Sequence, residues 1–219
     1  MIQEIIAAIK AGDAARVRDL IAADPALASA QTENGVSLIL LATYYGRRDI
    51  AQNLRAHIPA LDLFEASAVG DRARVKEIVA TQPQSVNTFA PDGFFPLGLA
   101  AFFGHTHVAE FLLANGADPN LAAQNSQRVA ALHAATASRH LAIVQMLIAR
   151  GAEVNARQAG GFVPLHAAAQ NGQIEMIELL IANGADANAR ADDGKTPLAF
   201  ALEEDHLDAA TILRKQIAK

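Results

Sequence analysis

Seven histidines are the residues of this 219-residue chain best suited to acid–base or metal chemistry, because an imidazole titrates near neutrality and ligates metals. Two of them stand close together in His105-Thr-His107. A zinc site needs three or four ligands, and no further carboxylate or histidine completes a set at ligand spacing, so no metal is expected. The chain has no cysteine, which excludes a thiolate zinc site, an iron–sulfur cluster, a disulfide framework and a cysteine nucleophile together. Carboxylates such as Glu175, Glu178, Asp186 and Asp208 fall where a solvated helix face or a polar cap would place them. Gly160-Gly161 precedes Phe162-Val-Pro and lacks both the Gly-x-Gly-x-x-Gly order and the lysine of a phosphate loop. Ser37, Ser67, Ser85 and Ser138 stand in no Gly-x-Ser-x-Gly elbow and have no base in register. The expectation is a chain with no catalytic residue and no cofactor, and hence not an enzyme.

The bulk composition narrows the field further. The formal net charge is −5, and a protein that tracks nucleic-acid phosphates normally carries a basic stripe instead. No apolar run approaches the 18 or so residues of a membrane span. The first ten residues carry Glu4 and Lys10 where a signal peptide would need an unbroken apolar stretch. Neither nucleic acid nor membrane is expected as a partner, and the chain reads as cytoplasmic. Its 52% apolar residues include only 5% aromatics, while alanine makes up about a fifth. Small side chains in that number let helices approach closely.

A repeat organises the residues. Asn87, Asn120, Asn155 and Asn188 follow one another at steps of 33, 35 and 33, and Leu97, Leu132, Leu165 and Leu198 at 35, 33 and 33. Three of the asparagines close nearly identical turns, Gly116-Ala-Asp-Pro-Asn120, Gly151-Ala-Glu-Val-Asn155 and Gly184-Ala-Asp-Ala-Asn188. Within a unit, Thr196-Pro197 supplies an N-cap hydroxyl and a proline at the first helical position. A short helix over Leu165 to Asn171 stops at Gly172, a residue suited to the left-handed C-terminal position. Ile174, Ile177, Leu180 and Ile181 then give a second helix its apolar stripe. Neither helix can bury that stripe alone, so the units must stack.

These residues resemble the ankyrin repeat family. The likeness rests on Val163-Pro-Leu-His166 and Thr196-Pro-Leu198, the alanine pairs 100–101 and 168–169, Gly104-His105 and the Gly-Ala-Asp-x-Asn turns. It is strong from about residue 91 onward and visible upstream in Asn34 to Gly46, where Ser37 takes the threonine place. It implies an all-α solenoid of about seven stacked helix pairs joined by β-turn and hairpin fingers. The units divide into an N-terminal cap at 1–33, repeats at 34–60, 61–90, 91–126, 127–157 and 158–190, and a C-terminal cap at 191–219 with a polar outer face. Inner-helix stops at Gly12, Gly46, Gly70 and Gly104 step by 34, 24 and 34. The short step leaves only Ile58-Pro-Ala-Leu61 between two units, so a finger is missing or shortened there. The 35-residue step places two extra residues in 121–127, with Asn125-Ser126 at the tip.

The resemblance also assigns roles. His133 and His166 are expected to bridge backbone groups of adjacent repeats, and His105, His140 and His206 to steady the turn after the inner helix. Tyr44-Tyr45 and Phe102-Phe103 occupy the two places before the inner-helix glycine, which face the concave groove in this family. The same places later hold Gln170-Asn171 and Glu203-Glu204. Phe94 and Phe162 fall at finger positions that point into the groove, and Phe95 at a core position. Eight of the eleven Phe and Tyr residues lie between Tyr44 and Phe103. Two readings of that cluster stand side by side: an exposed patch that anchors a partner, or rings packed between inner helices over the small Ala68-Val69-Gly70. The expected function is non-catalytic binding of an unidentified partner protein, by a monomer, through the concave groove and turn tips. The alternatives are an enzyme or small-ligand binder with a pocket built on the solenoid, and a purely structural spacer.

Overall fold

The computed structural model describes residues 1–217 and contains, among them, fourteen α-helices and no β-strand. The inner helices begin where capping chemistry allows. Pro96, Pro164 and Pro197 open three of them, where a missing N–H is harmless. Ser37 and Thr196 accept from the N–H three residues on, at 3.4 and 3.3 Å. Asp62 and Glu65 close a reciprocal capping box.

The helices form seven antiparallel pairs. These are α1 (Ile2–Ala11) with α2 (Ala14–Ala23), α3 (Leu38–Tyr44) with α4 (Arg48–His57), and α5 (Leu63–Val69) with α6 (Arg72–Thr81). They continue with α7 (Pro96–Phe103) and α8 (Thr106–Ala114), α9 (Ala131–Ala137) and α10 (Leu141–Ala149), α11 (Pro164–Gln170) and α12 (Ile174–Ala182), and α13 (Pro197–Glu203) and α14 (Leu207–Ile217). The odd-numbered helices stack as the inner row and the even-numbered ones as the outer row, with one core running between the rows. Leu97, Leu132 and Leu165 of the 33-residue ladder are wholly or almost wholly buried in it.

Five fingers project from the joints, closed by backbone pairs from Thr32 to Val36, Ala90 to Phe94, Ala123 to Val129, Gln158 to Phe162 and Ala191 to Lys195. The third spans two residues more than the others, as the 35-residue step requires. Adjacent tips are sewn together: Gln124 N–H donates to Gly93, Ala159 to Gln127 and Asp192 to Gly160, at 2.8–3.0 Å. Between α4 and α5 the chain runs directly through Ile58-Pro-Ala-Leu61 and no finger forms. The fingers on either side close over the gap, near enough that a β-carbon on Gly35 would lie 3.0 Å from that of Pro91. Beneath it, α4 and α6 scarcely touch, unlike the other successive outer helices.

The recurrent polar residues couple one unit to the next. Asn87 donates its amide to the Gly116 carbonyl at 2.9 Å and accepts from Asp118 N–H at 2.9 Å. Asn120 grips Gly151 and Glu153 in the same way, and Asn155 grips Gly184 and Asp186. His133 Nε2 reaches the Ala156 and Phe162 carbonyls, at 2.9 and 3.3 Å, and His166 Nε2 reaches Lys195 at 3.3 Å. The histidines after the inner helices do more than steady a turn. His105 bonds back to the Ala68 carbonyl at 2.9 Å and His140 to Phe102 at 3.1 Å. Gln173 does the same to Thr136, and Arg47 to Lys10. Glycine suits the place beneath His140, since a β-carbon on Gly104 would sit 2.4 Å from its ring.

The polar outer face expected of the last unit is only partly present. Leu202 and Leu207 are exposed on it, alongside the acids.

Burial lowers the pKa of His105, His133 and His166, and their bonds to carbonyls offset this only in part. A depressed imidazole pKa means the unfolded chain takes up protons first, so this stability is complete above about pH 6.5 and falls as the pH drops through and below it. Gln173 shows that an amide fills the His105 place without titrating. His105→Gln is therefore expected to melt like the parent at pH 7.5 and to lose less melting temperature by pH 5, measured by circular dichroism.

Candidate functional site

The inner row from α3 to α11 and the fingers above it enclose a hollow of about 480 Å³ on the concave side. Its first wall is aromatic. Tyr44 and Phe103 stack at 6.1 Å across the small residues of α5, with planes 12° apart, and Phe94 meets Tyr44 edge-on at 6.1 Å. Leu40, Ala68 and Leu99 pack beneath these rings as a cluster separate from the main core. Phe102 stands edge-on to Phe103 at 5.0 Å and remains 48% exposed. The far wall is Phe162, whose ring lies 5.3 Å from Phe200. Between the walls the floor is kept low by Gly98, Ala134, Ala137 and Ala167. Gly98 is small because Phe95 turns its ring against it; a β-carbon there would lie 2.9 Å from that ring. Gln127 and Gln158 supply amides from the fingers.

Two titratable groups line the hollow: Tyr44 is engaged through its hydroxyl, and His133 through one ring nitrogen, its Nδ1 being buried without a hydrogen-bond partner. The Tyr44 hydroxyl donates to Asp92 at 2.7 Å, and burial together with that carboxylate pushes the phenol far above its ordinary range. His133 is buried, held neutral by desolvation, and spends its Nε2 on carbonyls. Among the described residues no group of three or more His, Cys, Asp and Glu is arranged to hold a metal ion.

Five of the eight residues singled out from the sequence come together here: Tyr44, Phe94, Phe102, Phe103 and Phe162. Three do not line the hollow. Tyr45 is 46% exposed beyond its aromatic end, and Gln170 and Asn171 close α11 outside the lining. The two readings of the aromatic cluster each describe half of it, because one ring of each pair packs and the other faces water. Phe95 sits in the core as its register implied, at 1% exposure, and it also borders the hollow, which register did not indicate; nor did register indicate the two glutamines. Register also missed the floor, because alanine occupies the same places throughout the chain; the glycine at 98, inside a helix, was the available signal.

A family model described as Ankyrin repeats (3 copies) matches residues 63–158 and 155–219, more than half of the chain. Among curated proteins, the rat (Rattus norvegicus) Ankyrin repeat and SAM domain-containing protein 6 is 36% identical over 102 residues, or 46% of this chain and 11% of that protein. The Ankyrin repeat and KH domain-containing protein 1 of Homo sapiens is 34% identical over 93 residues, or 42% of this chain and 4% of that protein. The chain thus aligns with a small fraction of the length of these relatives.

Proposed function

From its membership of the ankyrin repeat family, to which this chain belongs, we propose that it is a non-catalytic module that holds a partner protein in its concave groove, with the hollow as the anchor point. Proteins of this family are generally protein–protein interaction modules. The observation that carries the finer reading is Phe102. It keeps half its surface in water at the mouth of an otherwise packed aromatic cluster, and such rings anchor interfaces because they bury much area with few torsions to freeze. The engaged Tyr44 hydroxyl supports a binding role over a catalytic one, since its proton is held by Asp92. Tyr45 extends the same surface toward the first repeats, and Gln170 and Asn171 toward the last. The chain acts as a monomer in the cytoplasm on this reading, and among the described residues no helix is long and apolar enough to cross a membrane.

The test is affinity capture from the native host with the parent and with Phe102→Ala. Truncating a half-exposed ring that meets one neighbour edge-on is expected to cost the fold only about 0.5–1.5 kcal/mol, while the captured partner is lost. Unchanged capture by a folded Phe102→Ala would sink the proposal.

A further inference from the structure

Two arginines beside the hollow sit on backbone that side chains rarely adopt. Arg128 has φ 52° and Arg139 has φ 66°, a region where the β-carbon crowds the following carbonyl. Arg139 stands at the inner-helix stop, where Gly12, Gly46, Gly70, Gly104 and Gly172 stand in other units. Arginine thus holds a place that five other units give to glycine and the last gives to Asp205, at φ 57°.

These arginines flank the hollow on opposite edges of one unit. Arg128 lies on the finger between Gln127 and Val129, both of which line the cavity. Arg139 follows α9, two residues after the lining residue Ala137. Its Nη2 donates to the Asn171 carbonyl at 3.0 Å, and the Asn171 amide donates to the Ala137 carbonyl at 3.4 Å.

The other nearby cations are paired, Arg157 with Asp192 at 3.3 Å and Lys195 with Glu203 at 2.8 Å. Asp92, which accepts from the neutral Tyr44 hydroxyl, keeps its negative charge at the aromatic wall. Among the described residues neither Arg128 nor Arg139 makes an ion pair. Farther along, at the end of α13, Glu204 and Asp205 are exposed and negative. Positive charge therefore flanks the hollow at the α9 unit, and negative charge lies to either side of that unit, at Asp92 and beyond α13.

Resting on the groove reading above, we propose that the hollow takes a large apolar side chain from an acidic partner segment, whose carboxylates beside that side chain pair with Arg128 and Arg139. The guanidinium fork matches a carboxylate in two-point geometry. The acids beyond α13 repel the same segment, which keeps its carboxylates over the α9 unit.

Three acetylated, amidated ten-residue peptides test this by fluorescence anisotropy. One has a central Phe-Phe flanked on each side by two aspartates, the second has lysines in place of the aspartates, and the third has Ser-Ser in place of Phe-Phe. The aspartate–phenylalanine peptide is expected to bind about tenfold tighter than the lysine peptide at low salt, with the gap narrowing at high salt. In Arg128→Gly/Arg139→Gly, where glycine suits the left-handed backbone, the protein should melt with the parent and lose the preference. Arg128→Gln/Arg139→Gln keeps side-chain bulk and should behave alike. Equal affinity for the two charged peptides, or a preference retained in both double variants, overturns the charge assignment. Binding of the serine peptide as tight as that of the phenylalanine peptide, or binding of none, overturns the groove reading as well.

Discussion

Phe95→Ala is expected to lower the unfolding free energy by about 3–5 kcal/mol, in the range of large aromatic truncations in a closed core. The ring is 1% exposed, meets Phe89 edge-on at 6.3 Å and fills the space that Gly98 leaves open. With the ring gone, Gly98 offers nothing to collapse into the void, so the cavity term adds to the lost transfer term. Chemical denaturation followed by circular dichroism gives the number. A cost below about 1.5 kcal/mol would show that the ring is not part of the core. The same substitution opens the floor of the hollow, so its effect on binding is to be read only where the variant is folded.

Asn120→Ala comes second. Its amide and carbonyl hold Gly151 and Glu153 of the next unit in a two-point clamp, at 3.0 and 2.8 Å. Two hydrogen bonds at about 0.5–1.5 kcal/mol each give an expected loss of about 1–3 kcal/mol. Asn188 is the internal control. It stands at the corresponding place, but among the described residues its side chain makes no such pair, so Asn188→Ala should cost less than about 0.5 kcal/mol. Equal costs at both positions would mean that the asparagine period serves its own turn rather than its neighbour. Amide exchange at Gly151 and Glu153 should quicken in Asn120→Ala and stay unchanged in Asn188→Ala.

Much of the solenoid was legible because its constraints are local and periodic. A proline at a first helical position, a glycine at a left-handed stop and an asparagine at a fixed interval each state a backbone requirement in the sequence itself. The absent finger at 58–61 and the longer one at 123–129 follow from counting residues. The division within the aromatic pairs was not legible, because register alone gives both members of a pair the same standing. Tyr44 packs while Tyr45 is exposed, yet it is the later residue, Phe103, that packs while Phe102 is exposed. The reason is that α5 lies after α3 and before α7. The flank that faces it differs between the two helices, so the inward place moves by one residue. The arginines escaped notice for another reason: a positive φ on arginine leaves no mark in composition or spacing.

The closed-over gap between α4 and α5 bears on how the chain comes apart. In a solenoid, stability is approximately a sum of unit terms and neighbour interfaces, and the thinnest interface is where cooperativity divides. Here the outer row is interrupted and one finger is absent, so the first two helix pairs are tied to the rest chiefly through the inner row. The Tyr44–Phe103 stack and the Tyr44–Asp92 hydrogen bond then act as sutures, joining residues 59 and 48 positions apart across the seam. Cutting them leaves two blocks that fray separately, and the rings that shape one wall of the hollow are also what makes the chain unfold as one body.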